Sequence, residues 1–171
     1  MLTNIQNIQK IVYILDSSAF FASFYEEGVL LITIDTVVDE VRDTASAMHL
    51  SVLQEKGMRV EPVNALQIKS VLDAARKTQD IDKLSETDIQ VLAKAKEHDG
   101  TIVTDDYAIQ NVAAVLGIKV RSLMQKKIRS VYIGVRKCTG CGHKSESETI
   151  CSVCGTPTKR MKSSFNTTKQ G

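Results

Sequence analysis

Thr101-Ile102-Val103-Thr104-Asp105-Asp106-Tyr107 is the stretch on which the reading of the chain turns. A short β-branched run stops on two adjacent carboxylates, and a helical pattern follows at once through Ala108, Val112, Ala113 and Leu116. Such a junction sets acids at the carboxyl edge of a parallel sheet, the edge where ligands of open α/β folds bind. The same residues admit a plainer role. Asp105 or Asp106 can cap the helix by accepting hydrogen bonds from its first free amides.

Toward the N-terminus, Ile11-Val12-Tyr13-Ile14-Leu15 reads as a strand buried on both faces, and it too ends on an acid, Asp16, followed by Ser17 and Ser18. A helix over 19–24 leads to a second apolar run, Val29 to Ile34. Asp35 and Thr36 offer caps for a helix whose apolar face is Val37, Val38 and Val41, with Glu40 one turn inside it beside that stripe. A helix over 44–56 stops at Gly57. Arg59 to Val63 makes a short strand near a sheet edge, because Pro62 cannot donate to a ladder.

Helices over 65–77 and 89–98 come next, the second opened by Leu84-Ser85-Glu86-Thr87-Asp88, where Ser85 and Asp88 have the spacing of a capping box. Gly117 closes a last helix, and 118–120 forms the final strand. Strands alternate with helices throughout 11–120. The expected fold is therefore a three-layer α/β/α domain on a central parallel sheet with right-handed crossovers.

In such a sheet Asp16, Asp105 and Asp106 end strands, while Glu40 and Asp88 lie in first turns of helices that begin at the same edge. Carboxylates gathered there without Lys or Arg repel one another, so a cluster makes sense chiefly around a divalent cation. Oxygen ligands and retained waters suit Mg²⁺ or Mn²⁺. Two such ions can hold a phosphodiester, activate water and stabilise the leaving alkoxide.

The formal charge of +2 hides a division at Gly117-Ile118. Residues 1–118 carry 10 Lys/Arg against 18 Asp/Glu, a net −8; residues 119–171 carry 12 against 2, a net +10. An acidic half suits a cation site, and a basic half suits the phosphates of nucleic acid. No apolar run is long enough to span a bilayer and no secretory leader pattern is present, so a soluble cytoplasmic protein with no membrane partner is expected.

All four cysteines fall in one short module. Cys138-x-x-Cys141 and Cys151-x-x-Cys154 are each followed by a glycine, Gly142 and Gly155. Two such knuckles complete a tetrahedral thiolate site as in zinc ribbons, with no open position, so the Zn²⁺ expected here is structural. Its binding would help to fold a module too small for its own core. His143 lies near enough to compete as a ligand, but four thiolates suffice. The basic residues around the knuckles are candidates for RNA backbone contacts: Lys126, Lys127 and Arg129 in the segment before the ribbon, then Arg136, Lys137, Lys144, Lys159, Arg160 and Lys162. Tyr132 is a weaker stacking candidate.

Ile14-Leu15-Asp16-Ser17-Ser18, Glu40, Leu84-Ser85-x-x-Asp88 and Ile102-Val103-Thr104-x-Asp106 resemble, in order and interval, the four acidic motifs of PIN-domain ribonucleases. The resemblance covers about residues 11–124. In that family the last acid falls in Thr-x-Asp, which implies Asp106 as ligand and Asp105 as an auxiliary acid. A PIN domain followed by a zinc ribbon is similar to the Nob-type endonucleases, and Thr104 to Val112 looks like their version of the last motif. The resemblance implies metal-dependent cleavage near the 3′ end of small-subunit (16S-type) ribosomal RNA precursor, on a pre-small-subunit particle, leaving a 3′-hydroxyl and a 5′-phosphate.

The expected organisation is a PIN-like nuclease domain over 1–124, a basic linker over 125–130, a zinc ribbon over 131–162 and a tail over 163–171 without ordered structure. Two other functions stay open on the sequence. One is a PIN toxin-like ribonuclease acting on tRNA or mRNA; the other is a non-catalytic RNA-binding assembly factor whose acids only cap helices.

Overall fold

A computed structural model describes residues 11–123 and 131–163. The first stretch forms a five-stranded, wholly parallel sheet in the order β3-β2-β1-β4-β5, built from β1 (Val12–Leu15), β2 (Leu30–Thr33), β3 (Arg59–Val60), β4 (Thr101–Val103) and β5 (Lys119–Arg121). Six helices connect them: α1 (Ser17–Phe21), α2 (Asp35–Glu40), α3 (Thr44–Glu55), α4 (Ala65–Thr78), α5 (Glu86–His98) and α6 (Tyr107–Leu116). The expected alternation and parallel sheet are present, with β3 on the edge where Pro62 put it. No helix among the described residues is long and apolar enough to cross a membrane.

The strands are short, so their central residues carry the core. Ile14, Leu15, Ile32, Ile102 and Val103 are fully buried, and Phe20, Val37, Leu53, Val91, Leu92 and Ile109 pack against them from the helices. Helix ends follow local chemistry. Ser85 and Asp88 close a reciprocal capping box at α5, and Gly117, at φ +72°, supplies the left-handed turn that ends α6.

Chain order reverses at β1. Its neighbours are β2 on one side and β4 on the other, reached through crossovers in opposite directions along the sheet. The crevice at the carboxyl ends of β1 and β4 is thus the fold's natural binding position. Register fixes what lies there. Leu15 pairs with Val103, so Asp16 and Thr104 follow side by side, and the Asp16 amide donates to the Val103 carbonyl at 3.2 Å.

The second stretch is a three-stranded antiparallel sheet in the order β7-β6-β8, from β6 (Val131–Cys138), β7 (Lys144–Ser145) and β8 (Thr158–Ser163). Its register shifts between Tyr132 and Arg136, where Gly134 approaches the end of α4. A Cβ there would lie 2.8 Å from the Lys77 carbonyl oxygen, so only glycine fits without movement.

A buried charged node ties this sheet to the first. Asp80, just past α4, accepts from Asn111 of α6 at 2.5 Å, Lys83 at 3.2 Å and Arg160 of β8 at 3.3 Å. Arg160 also donates to the Thr78 carbonyl at the end of α4. Burial alone would push the Asp80 carboxyl up, but the hydrogen bonds from Asn111, Arg160 and Lys83 outweigh it and hold its pKa below the ordinary range.

Candidate active site and cysteine cluster

Asp16 is the buried member of the acidic group, with 5% of its surface exposed. It sits at the cap position of α1 but makes no side-chain capping hydrogen bond there. Its Oδ2 accepts from Thr104 Oγ1 at 2.7 Å and from Ser18 Oγ at 3.1 Å. Burial raises its pKa; hydrogen bonds from Thr104, Ser17 and Ser18 act against the rise, and the charge of Asp106 adds to it.

Thr104 is fully buried and links two acids. Its hydroxyl donates to Asp16 and accepts from the Asp106 amide at 3.0 Å. Asp106 is the N-cap of α6: its Oδ1 accepts from Ala108 N at 2.7 Å and Ile109 N at 2.9 Å. The cap turns one oxygen toward the helix and leaves the carboxylate charge beside its neighbours. Asp88, bonded through Oδ2 to the Ser85 amide at 2.7 Å, also has a raised pKa. Burial is the main cause, opposed by its bonds to Ser85 and reinforced by the charges of Asp16 and Asp106. Asp16, Asp88 and Asp106 therefore share one electrostatic environment at the expected edge.

Two expectations change on folding. Glu40 does not lie in a first turn: α2 begins at Asp35 and spans six residues, so Glu40 is its last residue and is exposed. Asp105 faces the other way. Its Oδ1 accepts from Ser122 Oγ at 2.5 Å and from Leu123 N at 2.9 Å, which anchors the chain leaving β5. The division of labour expected between adjacent aspartates falls instead on one, since Asp106 both caps the helix and feels the other acids.

Among the described residues none of Asp16, Glu40, Asp88 and Asp106 forms an ion pair with Lys, Arg or His. Charged groups elsewhere are treated differently. The almost fully buried Lys94 meets Glu97 at 3.0 Å and Glu61 at 3.5 Å. Partly buried carboxylates that repel one another without a cationic side chain form a donor set that fits a hard divalent ion. The ligand atoms of these acids do not all lie within 4.8 Å of one another. The group of His, Cys, Asp and Glu ligand atoms lying within 4.8 Å of one another, among the described residues, is the four cysteines.

Those cysteines are free thiols. Cys138 Sγ lies 3.4 Å from Cys154 Sγ, and Cys141 Sγ lies 3.6 Å from Cys151 Sγ, far beyond a disulfide bond at about 2.05 Å. Four sulfurs at Zn–S distances of about 2.3 Å would stand about 3.8 Å apart, so the cluster fits a tetrahedral metal. Hydrogen bonds from Thr156, with Cys138 and Cys141 contributing, lower Cys154 to about 6. At Cys141 the His143 amide favours the thiolate, but Cys154, burial, Cys151 and Cys138 together push it up to about 12. A bare cluster thus resists full ionisation, which a bound cation would relieve.

Strand parity divides the basic residues of the ribbon. Lys137 pairs with Lys144 on one side and Lys159 on the other, so three lysines form one row on one face, and all three are exposed. Like charges directly opposite one another cost stability, and a polyanion would offset that cost. Arg136 and Arg160 pair one position away, on the opposite face. Arg136 donates to Glu148 O, Thr158 Oγ1 and Thr158 O, while Arg160 serves the Asp80 node. Both guanidinium groups make hydrogen bonds inside the protein, on the face opposite the lysine row. Lys126, Lys127 and Arg129 lie outside the described residues, and Tyr132 lies in β6, where only the backbone is described.

Comparison with known proteins follows this geometry. A family model described as the PIN domain of ribonuclease matches residues 13–97. The chain is 44% identical over 164 residues to the endoribonuclease Nob1 of Archaeoglobus fulgidus, covering 91% of this chain and 95% of the relative. The chain belongs to the Nob1 family of endoribonucleases. The Nob1 of Pyrococcus abyssi is 39% identical over 88% of this chain and 93% of its own length. A protein named ribonuclease VapC1, from Thermoplasma acidophilum, is 34% identical over 87% of this chain and 77% of its own. As a member of the Nob1 family the protein is a metal-dependent PIN endoribonuclease with a C-terminal cysteine cluster able to bind a metal.

The acids of this site were nominated from the sequence. The sequence gives no role to Thr104 or Ser18 and does not single out Asp80. A threonine two positions before an N-cap aspartate is the local signal for Thr104; nothing local distinguishes Asp80 from any exposed acid.

Proposed function

We propose that this protein cleaves a phosphodiester near the 3′ end of the small-subunit ribosomal RNA precursor, on a pre-small-subunit particle in the cytoplasm. The observation that carries the reading is the group Asp16, Asp88 and Asp106: three acids at one sheet edge, coupled in charge and, among the described residues, in no ion pair with Lys, Arg or His. Asp16, Asp88 and Asp106 would hold Mg²⁺ or Mn²⁺, with Glu40 a fourth ligand if the end of α2 turns inward on binding. Such ions supply an activated water and a charge clamp on the leaving oxygen.

The chain's own residues do the positioning. Thr104 keeps Asp16 and Asp106 at a fixed separation and spends one lone pair of Asp16. Ser85 does the same for Asp88. Because burial raises Asp16 and Asp88, protons compete with the cation, and cleavage should rise with pH through and above the usual carboxylate range. The Lys144-Lys137-Lys159 row tracks the RNA backbone from the ribbon, whose four cysteines would hold structural Zn²⁺.

Incubation of the protein with an RNA spanning the mature 3′ end, with and without Mn²⁺, tests this. Asp16→Asn should lower the cleavage rate by at least about 100-fold while leaving RNA binding largely intact. Unchanged turnover in that variant would sink the assignment.

A further inference from the structure

A cavity of about 460 Å³ opens between the loop after α1 and the end of β5. Phe21, Phe24, Tyr25, Arg121 and Leu123 line it. We propose that it receives one unpaired nucleobase of single-stranded RNA, stacked on Phe21 and Tyr25, next to the phosphodiester that is cut. The proposal rests on the reading of the chain as a nuclease with its centre at Asp16, Asp88 and Asp106.

Aromatic residues are scarce in this chain, with four Phe, four Tyr and no Trp, and five of those eight fall between positions 13 and 25. Burial of apolar area accounts for Phe20 and Phe24 but not for Phe21 or Tyr25, which are 60% and 45% exposed. Two large exposed rings, one at the end of α1 and one on the loop after it, represent apolar surface that folding does not use. The volume lies in the range of ordinary small-ligand pockets.

The loop is held in shape before any ligand arrives. Ser23 adopts φ +51°, a left-handed conformation uncommon for a non-glycine residue. His49 Nε2 bonds the Phe24 carbonyl oxygen at 2.9 Å, and Phe24 packs edge-on against Tyr13 at 5.7 Å. Cations border the cavity. The Arg121 guanidinium lies over the Phe24 ring at 5.0 Å, donates to Tyr13 Oη at 3.2 Å and pairs with Glu26. Lys56 Nζ stands 4.0 Å from the Tyr25 ring centroid, a cation against an aromatic face. Aromatic planes with bordering cations are the combination that binds single-stranded bases without requiring a sequence.

The position is tied to the acids through hydrogen bonds. Leu123 N and Ser122 Oγ donate to Asp105 Oδ1, the Asp105 amide donates to Ser18 Oγ at 3.3 Å, and Ser18 Oγ donates to Asp16 Oδ2. Asp105 thereby becomes a positioning residue that joins the cavity wall to the acidic group. A base held there would set which phosphate reaches Asp16, Asp88 and Asp106.

The test uses the full chain and single-stranded RNAs with 2-aminopurine placed at successive positions around the cleavage point, bound with no Mg²⁺ or Mn²⁺ added, so that no cutting occurs and the cysteine cluster keeps its metal. Quenching of the fluorophore at one position is expected, and its loss in Phe21→Ala and in Tyr25→Ala. RNA affinity should weaken roughly 5- to 150-fold per ring removed. With Mn²⁺ present, KM should rise more than kcat falls, and Phe21→Tyr should restore both quenching and KM. Absence of a quenched position in the unsubstituted protein, or alanine variants that bind RNA as tightly as it does, overturns the proposal. So does a variant that binds and cuts naked RNA normally but no longer sediments with the precursor particle, because the rings would then serve a protein partner. Quenching without cleavage under any metal would leave the base site standing and remove the nuclease reading; cleavage indifferent to both rings would do the reverse.

Discussion

The acids and the cysteines are two groups of metal-suited side chains assembled in opposite ways. Cys138, Cys141, Cys151 and Cys154 come from one short module, and two local turns bring their sulfurs within 4.8 Å of one another. Asp16, Asp88 and Asp106 come from three connections far apart in sequence, and they share one sheet edge because Leu15 pairs with Val103 and α5 packs beside β1. The cysteine group would be held together by the metal it binds, whereas the acidic group is imposed by the fold against its own repulsion. One site therefore contributes to folding and the other is tolerated by it.

Replacing the cysteine ligands should produce the largest effect and the most local one. Cys138→Ser combined with Cys151→Ser should abolish stoichiometric zinc, read by elemental analysis, and should collapse the antiparallel sheet while the parallel sheet keeps a cooperative melt. Native zinc content in that variant would break the comparison.

The Asp80 node, where the two sheets meet, comes next. Asp80→Ala leaves Arg160 without its carboxylate at a largely buried position and should cost about 3–5 kcal/mol in denaturant unfolding. Arg160→Ala should cost less, because Asn111 and Lys83 still satisfy Asp80, and a double-mutant cycle should show coupling between the two. Additive losses would mean that the sheets are energetically independent. Because the Asp80 pKa is held down in the folded state, this stabilisation is present above the unfolded value of about 3.9 and is lost as pH falls through the folded value.

The acidic group should show the opposite sign and a smaller size. Asp16 and Asp88 are raised on folding, so their charged forms oppose the fold at neutral pH, and the penalty fades as pH falls through their folded values. Metal-free Asp16→Asn should accordingly melt higher than the unsubstituted protein at pH 7 and lose that advantage near pH 4. Saturating Mn²⁺ should erase the difference by stabilising the unsubstituted protein alone. A variant less stable than its parent at pH 7 would show that the Thr104 bond outweighs repulsion.

Much of the parallel domain is readable from local signals, and what is not has two causes. Strand runs, the Ser85–Asp88 box and the Gly117 stop rest on residues close in sequence, and each is present. Glu40 was misplaced by the length of α2, since a six-residue helix offers too little periodicity to locate its ends. Arg136 and Arg160 read as RNA contacts because charge alone does not reveal which face of a strand a side chain takes. A shift of one residue in pairing exchanges faces, so only the observed register separates them from the Lys137 row.

Taken by itself, the sequence determined the two cysteine knuckles, the helix caps and the alternation that implies a parallel sheet, because each depends on interactions within a few residues. Tertiary structure alone decided that Asp106 both caps α6 and shares the field of Asp16 and Asp88, that Asp105 turns to Leu123, and that Arg160 binds Asp80 eighty residues away. Those outcomes depend on strand register and on which faces meet, and neither is encoded in any short stretch of chain.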